Sequence, residues 1–357
     1  MDSRAARTVT QNPLVGRAWA GGKLPTVAPM HTPLVTGATS FLGYHVVKRL
    51  NASGVRPRVL ERRDASTRTL DSLDIERAAG HLEDANAVRA ACDGVDHVLH
   101  LAYKVSVGGG AALAEMRRVN VDGTAELLRS AAAAGVRRAV VVGSALAVGV
   151  NREPAPLDER ASWSQHAFHL PYATIRRAAE IAALAEAGPG FDVVSVCPAF
   201  TFGPDDPVGA PANKLLERLI TGKLPVSLPV AFSCTDVRDF ADGTVRAAER
   251  GRSGERYLLT GENVTADQLL QRAATLAGIR APRWKLPTFL AHGAIGALEL
   301  VSLLRGRPAP VTREVLQVFG RYAWYDATKA RTELGWTPRP LEQTLADTIE
   351  WLRRRGS

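Results

Sequence analysis

The chain has 357 residues, 46% of them apolar and 23% charged, with a formal net charge of +9. That balance supports a substantial core and excludes a generally disordered chain. The positive excess is spread among Asp and Glu, with no basic stripe interleaved by aromatics. This argues against a nucleic-acid partner and for a solvated Arg-rich surface, which would also suit an anionic cofactor. The three cysteines, Cys92, Cys197 and Cys234, form no CxxC pair and no His/Cys cluster. No metal site and no disulfide framework are therefore expected, and a reducing cytoplasm is the expected location.

Residues 1–30 contain Arg4, Arg7 and Arg17 but no long apolar run. They are expected to form a flexible arm rather than a secretory signal, with Met30 a candidate start of translation. A βα alternation begins at Pro33. Leu34–Thr36 reads as a strand, and Phe41–Ser53 as a helix with Leu42, Val46, Val47 and Leu50 on one face. Pro57–Leu60 is the second predicted strand, Ala85–Cys92 a short helix and Val95–Ala102 a further strand. Ala111–Ala134 reads as a long helix ended by Gly135. Ala139–Gly143 is almost pure valine, which suits a strand buried on both faces. Tyr172–Ala187 is helical and stops at Gly-Pro-Gly; Phe191–Cys197 is the next strand. Strands alternating with helices, without hairpin signals, predict a parallel sheet covered on both faces.

The pattern loosens after Gly203. Stretches 204–211 and 225–229 are Pro-rich, and 263–325 reads as mainly helical. The predicted fold is α/β: a Rossmann-type doubly wound parallel sheet with a smaller, mainly helical C-terminal substrate lobe. Residues 31–205 and 234–262 would form the core, and 206–233 and 263–357 a cap over the carboxyl ends of the strands. Residues 286–304 are the most apolar helical stretch, interrupted by Pro287, His292 and Glu299. They predict a cap helix or a homodimer face, not a membrane span.

The segment Val35-Thr36-Gly37-Ala38-Thr39-Ser40-Phe41-Leu42-Gly43 lies where the first strand turns into the first helix. Gly37 permits a tight turn, Gly43 close helix–strand packing, and the helix start offers free N–H groups to a pyrophosphate. With this loop go His100-Leu101-Ala102, Asn120-Val121-Asp122-Gly123-Thr124, Pro198-Ala199-Phe200-Thr201-Phe202-Gly203-Pro204, Gly254-Glu255-Arg256-Tyr257 and Leu334-Gly335-Trp336-Thr337-Pro338. Together they resemble the extended short-chain dehydrogenases/reductases, also called the NAD-dependent epimerase/dehydratase family, from about residue 33 to 355. The likeness is strongest to dihydroflavonol-4-reductase-like and hopanoid-associated sugar-epimerase-like members.

The resemblance implies a catalytic set of Ser, Tyr and Lys, the last two spaced YxxxK on one helix. Ser144 follows the fifth strand and Tyr172 begins the right helix, but Arg176 stands where the family has lysine. An arginine supplies a positive charge beside Tyr172 but cannot lose a proton, so a proton relay through it is not expected. The resemblance further implies cofactor contacts from Thr39, Ser40, Phe41 and Leu42 in the loop, from Leu101, Ala102 and Tyr103 at a strand end, and from Asn120, Tyr172, Arg176, Pro198, Phe200 and Thr201.

Two other positions depart from the family. Ser40 replaces its middle glycine, with a hydroxyl able to donate to phosphate. His81 replaces the Asp that contacts adenine, leaving the Leu82 backbone for that role. Cofactor choice turns on Leu60-Glu61-Arg62-Arg63: Arg62 and Arg63 favour the 2′-phosphate of NADP, whereas Glu61 favours NAD if the register slips by one. Lys104, Ser144, His169, Phe200 and Phe202 are the candidate contacts to a small-molecule substrate, with His166 as a further loop histidine. The expected reaction is hydride transfer between NADPH and a carbonyl or secondary alcohol of a small, fairly apolar molecule. Sugar-nucleotide epimerisation is a variant, disfavoured by the lack of an Arg/Lys diphosphate pattern in the cap. Non-redox chemistry (cyclisation, dehydration) or regulatory binding is the rival, because function lives in the site rather than the fold.

Overall fold

The computed structural model describes residues 29–62, 68–105, 110–163, 170–285 and 318–356. The expected arm (up to residue 28), Arg63, His166, His169 and the apolar stretch 286–304 therefore lie outside the described residues.

The first six strands are β1 (Pro33–Thr36), β2 (Arg58–Glu61), β3 (Glu76–Ala79), β4 (His97–His100), β5 (Arg138–Val142) and β6 (Asp192–Pro198). Strands β7 (Phe200–Phe202), β8 (Val226–Ser227) and β9 (Ala231–Asp236) follow, then β10 (Arg256–Leu259). One seven-stranded sheet runs β10-β6-β5-β4-β1-β2-β3. Every pairing in it is parallel. All residues of β1 and β4 are buried, as they must be with helices on both faces. The strand order reverses between β1 and β4, which opens a crevice at their carboxyl ends. This is the doubly wound fold that the alternation of strands and helices predicts.

The covering helices are α1 (Phe41–Ala52), α2 (Ala85–Cys92), α3 (Ala111–Arg117), α4 (Gly123–Ala133), α5 (Pro171–Ala185), α6 (Pro211–Ile220) and α7 (Val237–Arg250). On one face Val46, Val47 and Leu50 of α1 meet Phe240, Ala241 and Val245 of α7 in a single core cluster. On the other, α2, α4 and α5 bury Val88, Leu127, Leu128 and Ala183 against β1, β4 and β5. The predicted helix over 111–134 is broken by one π turn at Arg118–Asp122. Edge strand β3 has no signal in the sequence: Glu76-Arg77-Ala78-Ala79 is largely exposed and pairs only with β2. Strand β2 begins one residue later than predicted, and β4 is four residues rather than eight.

Strands continue beyond Gly203, three of them short and within 263–325, where mainly helix was expected. Strand β9 pairs in parallel with β7, and antiparallel with β11 (Asn263–Thr265). It also pairs in parallel with Tyr322–Ala323, while β8 pairs with Trp284–Lys285. Helix α8 (Ala266–Ala277) starts on a capping box made by Thr265 and Gln268. Its Leu269, Leu270 and Ala273 join Leu216 and Leu219 of α6 and Leu345 and Ile349 of the helix Leu341–Gly356 in a second core. Among the described residues no helix is long and apolar enough to cross a membrane.

Candidate active site

The turn between β1 and α1 shows why glycine is required there. Gly37 has φ +73°, and a Cβ on it would lie 2.4 Å from the Ala102 backbone nitrogen. A Cβ on Gly43 would lie 2.1 Å from the Gly37 carbonyl oxygen. Ser40 caps α1: its Oγ accepts from Gly43 N–H at 3.0 Å and donates to the Gly37 carbonyl at 2.7 Å. The single hydroxyl hydrogen is thus held within the loop. It is not directed to a phosphate as the sequence suggested, and the loop instead offers the first-turn amides of Phe41 and Leu42.

These groups open onto a cleft of about 640 Å³. Gly37, Thr39, Ser40, Arg62, His81 and Leu82 line it, with Leu101, Ala102, Tyr103 and Lys104 opposite. Its floor, where any side chain at Gly37 would collide, fits a dinucleotide lying against backbone. At its far side Glu61 is held by Arg77, whose Nη1 lies 2.9 Å from both carboxylate oxygens. Arg62 follows directly and is exposed.

Behind the cleft a directed chain of hydrogen bonds joins β1, β4 and α4. Thr124 Oγ1 donates to the Asn120 carbonyl at 2.7 Å, so its remaining role toward His100 Nε2, at 2.9 Å, is to accept. Burial, with Arg176 nearby, lowers the His100 pKa to about 4, so the ring is neutral and Nδ1 accepts from Thr36 Oγ1 at 2.7 Å. The Asn120 carboxamide accepts from Lys104 N–H and donates to the Lys104 carbonyl, each at 2.8 Å. Asn120 therefore shapes the loop beside the cleft and does not reach into it. Lys104, expected toward substrate, ion-pairs with Glu115 at 2.6 Å on the cleft rim.

Ser144 and Tyr172 come together in a second cavity of about 690 Å³. Pro198, Phe200 and Phe232 line it as well, as do the α6 cations Lys214 and Arg218. Pro198 thus faces this cavity rather than the cofactor cleft. The Thr201 hydroxyl bonds back to the Ala199 carbonyl at 3.0 Å. Phe202, expected on substrate, is fully buried in the second core and meets Phe200 edge-on, with ring centroids 5.2 Å apart. The sequence reading missed Phe232, Lys214 and Arg218; no motif carries them, and only the i, i+4 spacing of the two cations on one helix face signals them.

Arg176 is buried and points at the sheet. Its Nη2 donates to the Val142 carbonyl at 3.0 Å and to the Gly143 carbonyl, just ahead of Ser144. Its Cζ sits 3.7 Å over the Tyr103 ring, and that ring meets Tyr172 edge-on at 6.1 Å. Burial pushes the Tyr103 phenol well above the usual tyrosine range. Tyr103 was read only as a cofactor contact; its ring touches both residues of the YxxxR pair. Among the described residues no group of His, Cys, Asp and Glu could hold a metal ion.

A parallel sheet with a glycine turn at its switch point, beside a cavity holding Ser and Tyr, defines a dinucleotide-binding protein of the short-chain dehydrogenase/reductase type. The model of the NAD dependent epimerase/dehydratase family matches residues 33–259, and the chain belongs to that family. It is 34% identical over 330 residues to sterol demethylase protein B of Methylococcus capsulatus, covering 91% of this chain and 99% of that one. It is 30% identical over 326 residues to a protein named putative dihydroflavonol 4-reductase from Synechocystis, covering 90% and 94%. The crystal structure of gox2253 superposes with a TM-score of 0.80 at 30% identity, covering 91% of this chain and 98% of that one.

Proposed function

We propose that the chain is an NADP-dependent reductase or dehydrogenase acting on a carbonyl or secondary alcohol of an apolar molecule. The observation that carries this reading is the apolar-walled cavity of about 690 Å³ with Ser144 and Tyr172 in its lining. The dinucleotide, when bound, supplies or accepts the hydride. The Ser144 hydroxyl donates a hydrogen bond to the substrate oxygen, and the Tyr172 phenol passes a proton to that oxygen or takes it back. The apolar wall excludes water from the reacting groups. Within this reading residues 31–205 and 234–262 form the cofactor core and 206–233 with 263–357 the cap, and the protein works in the cytoplasm. The test is transfer of label from the reduced nicotinamide of NADPH to the carbonyl carbon of a ketone substrate, giving the labelled alcohol; no transfer to any ketone of a sterol-sized panel would end it.

The NADP preference rests on Arg62, because the one carboxylate at the end of β2, Glu61, is already held by Arg77. Arg62→Ala is expected to weaken NADPH by about 10- to 100-fold, the scale of one hydrogen bond to a charged group, while leaving NADH within about twofold. Fluorescence titration of both cofactors checks this, and equal affinity of the unaltered protein for the two would refute the preference.

Arg176 favours a second reading. With its guanidinium donating to the Val142 and Gly143 carbonyls, Arg176 cannot stand in for the family's lysine in a proton relay. That suits a non-redox cyclisation or dehydration, or regulatory binding, on the same scaffold. Arg176→Lys separates the two. A site built around the stacked guanidinium should lose roughly tenfold in turnover, because an ammonium cannot both stack on Tyr103 and reach the carbonyls. A rise in NADPH-dependent turnover would instead mean that lysine restores the family's own mechanism.

A further inference from the structure

The substrate cavity carries polar side chains in three places. Ser144 and Tyr172 are one, Tyr325, whose hydroxyl donates to the Gly149 carbonyl, is another, and Lys214 and Arg218, one turn apart on α6, are the third. The wall is otherwise mostly apolar, with Leu224, Val226, Leu270 and Phe319 among its residues, and no described residue in it is a carboxylate. Several other cations of the described residues are matched: Arg238 pairs with Asp236 and Asp347, Arg252 with Glu333, Arg339 with Asp239. The side chains of Lys214 and Arg218 make no hydrogen bond or ion pair among the described residues, although Glu217 lies between them on the same helix. Two positive side chains without a partner, beside an acid-free apolar wall, make a local positive potential on that side of the cavity.

We propose that Lys214 and Arg218 hold a carboxylate on the substrate, at the α6 side of the cavity and remote from the oxygen that Ser144 and Tyr172 handle. The substrate class is then an apolar keto acid or hydroxy acid. This rests on the reading of the cavity as a substrate site.

The test uses the full chain with a ketosteroid bearing a side-chain carboxylate, a long-chain keto fatty acid, and the methyl ester of each, all titrated by calorimetry. Each acid that fits is expected to bind roughly tenfold more tightly than its ester at low ionic strength, with the ratio shrinking as salt is added. In Lys214→Ala/Arg218→Ala the ratio should fall to about one, and in Lys214→Glu/Arg218→Glu below one. Both positions are exposed, so the melting temperature should hold and confirm folding. Equal affinity for acid and ester, a preference that survives in the double alanine variant, or no binding of either acid overturns the proposal. Hydride transfer from labelled NADPH is read separately. An acid preference without transfer leaves the carboxylate subsite standing and removes the redox reading; transfer without an acid preference does the reverse.

Discussion

Tyr172→Phe is expected to cut turnover by about 10²–10⁴-fold, the range that one positioned acid or base contributes. The substitution removes only the hydroxyl. The ring's edge contact with Tyr103 and its place at the first turn of α5 are kept, so cofactor affinity should change by less than about twofold. Steady-state kinetics with NADPH and a ketone substrate, together with cofactor titration, separate the two effects. Unchanged turnover would mean that another group delivers the proton, and the redox assignment of the cavity would lose its acid.

The second large effect concerns stability. Arg256 on β10 and Glu180 on α5 form an ion pair whose side chains are 2% and 0% exposed. Arg256 Nε lies 3.1 Å from Glu180 Oε1, and the Ser195 hydroxyl donates to the same oxygen at 2.6 Å. Arg256→Met would leave the carboxylate buried with only two neutral donors, the Ser195 hydroxyl and the Cys197 thiol, which is expected to cost about 3–5 kcal/mol. Arg256→Met/Glu180→Leu removes both charges and should recover most of that loss, because an apolar pair of similar volume needs no desolvation of charge. Urea denaturation at constant m-value measures both. A single-variant loss below about 1 kcal/mol would mean that the buried pair does not hold α5 against β10.

The parts of this protein that were legible in the sequence are those whose constraint is local. Gly37 and Gly43 announce the turn because no side chain fits there, and the valine run 139–142 announces a central strand because both of its faces are covered. Strand β3 was illegible since an exposed edge strand needs no apolar pattern. The small sheet around β9 was missed because β7, β11 and Tyr322–Ala323 are two or three residues long, and their pairing is set by the elements they dock on. Within the site, the pairing of Tyr172 with Arg176 on one helix face was readable from the i, i+4 rule. The direction of the guanidinium was not, since it depends on Tyr103, a residue on another strand end that spacing cannot bring into view.

The π turn at Arg118–Asp122 bears on which insertions and deletions this chain can accept. On its N-terminal side Met116 packs with Val121 against Ile175 and Ala179 of α5; at its centre the Asn120 carboxamide holds Lys104. Deleting one residue here would restore the regular α pitch, and each residue in an α-helix turns by about 100°. Either Met116 would swing out of its contact with α5 or Asn120 would swing off Lys104. The extra residue reconciles two registers that a regular helix cannot serve at once, so a shortened version would have to give up either the packing or the cleft.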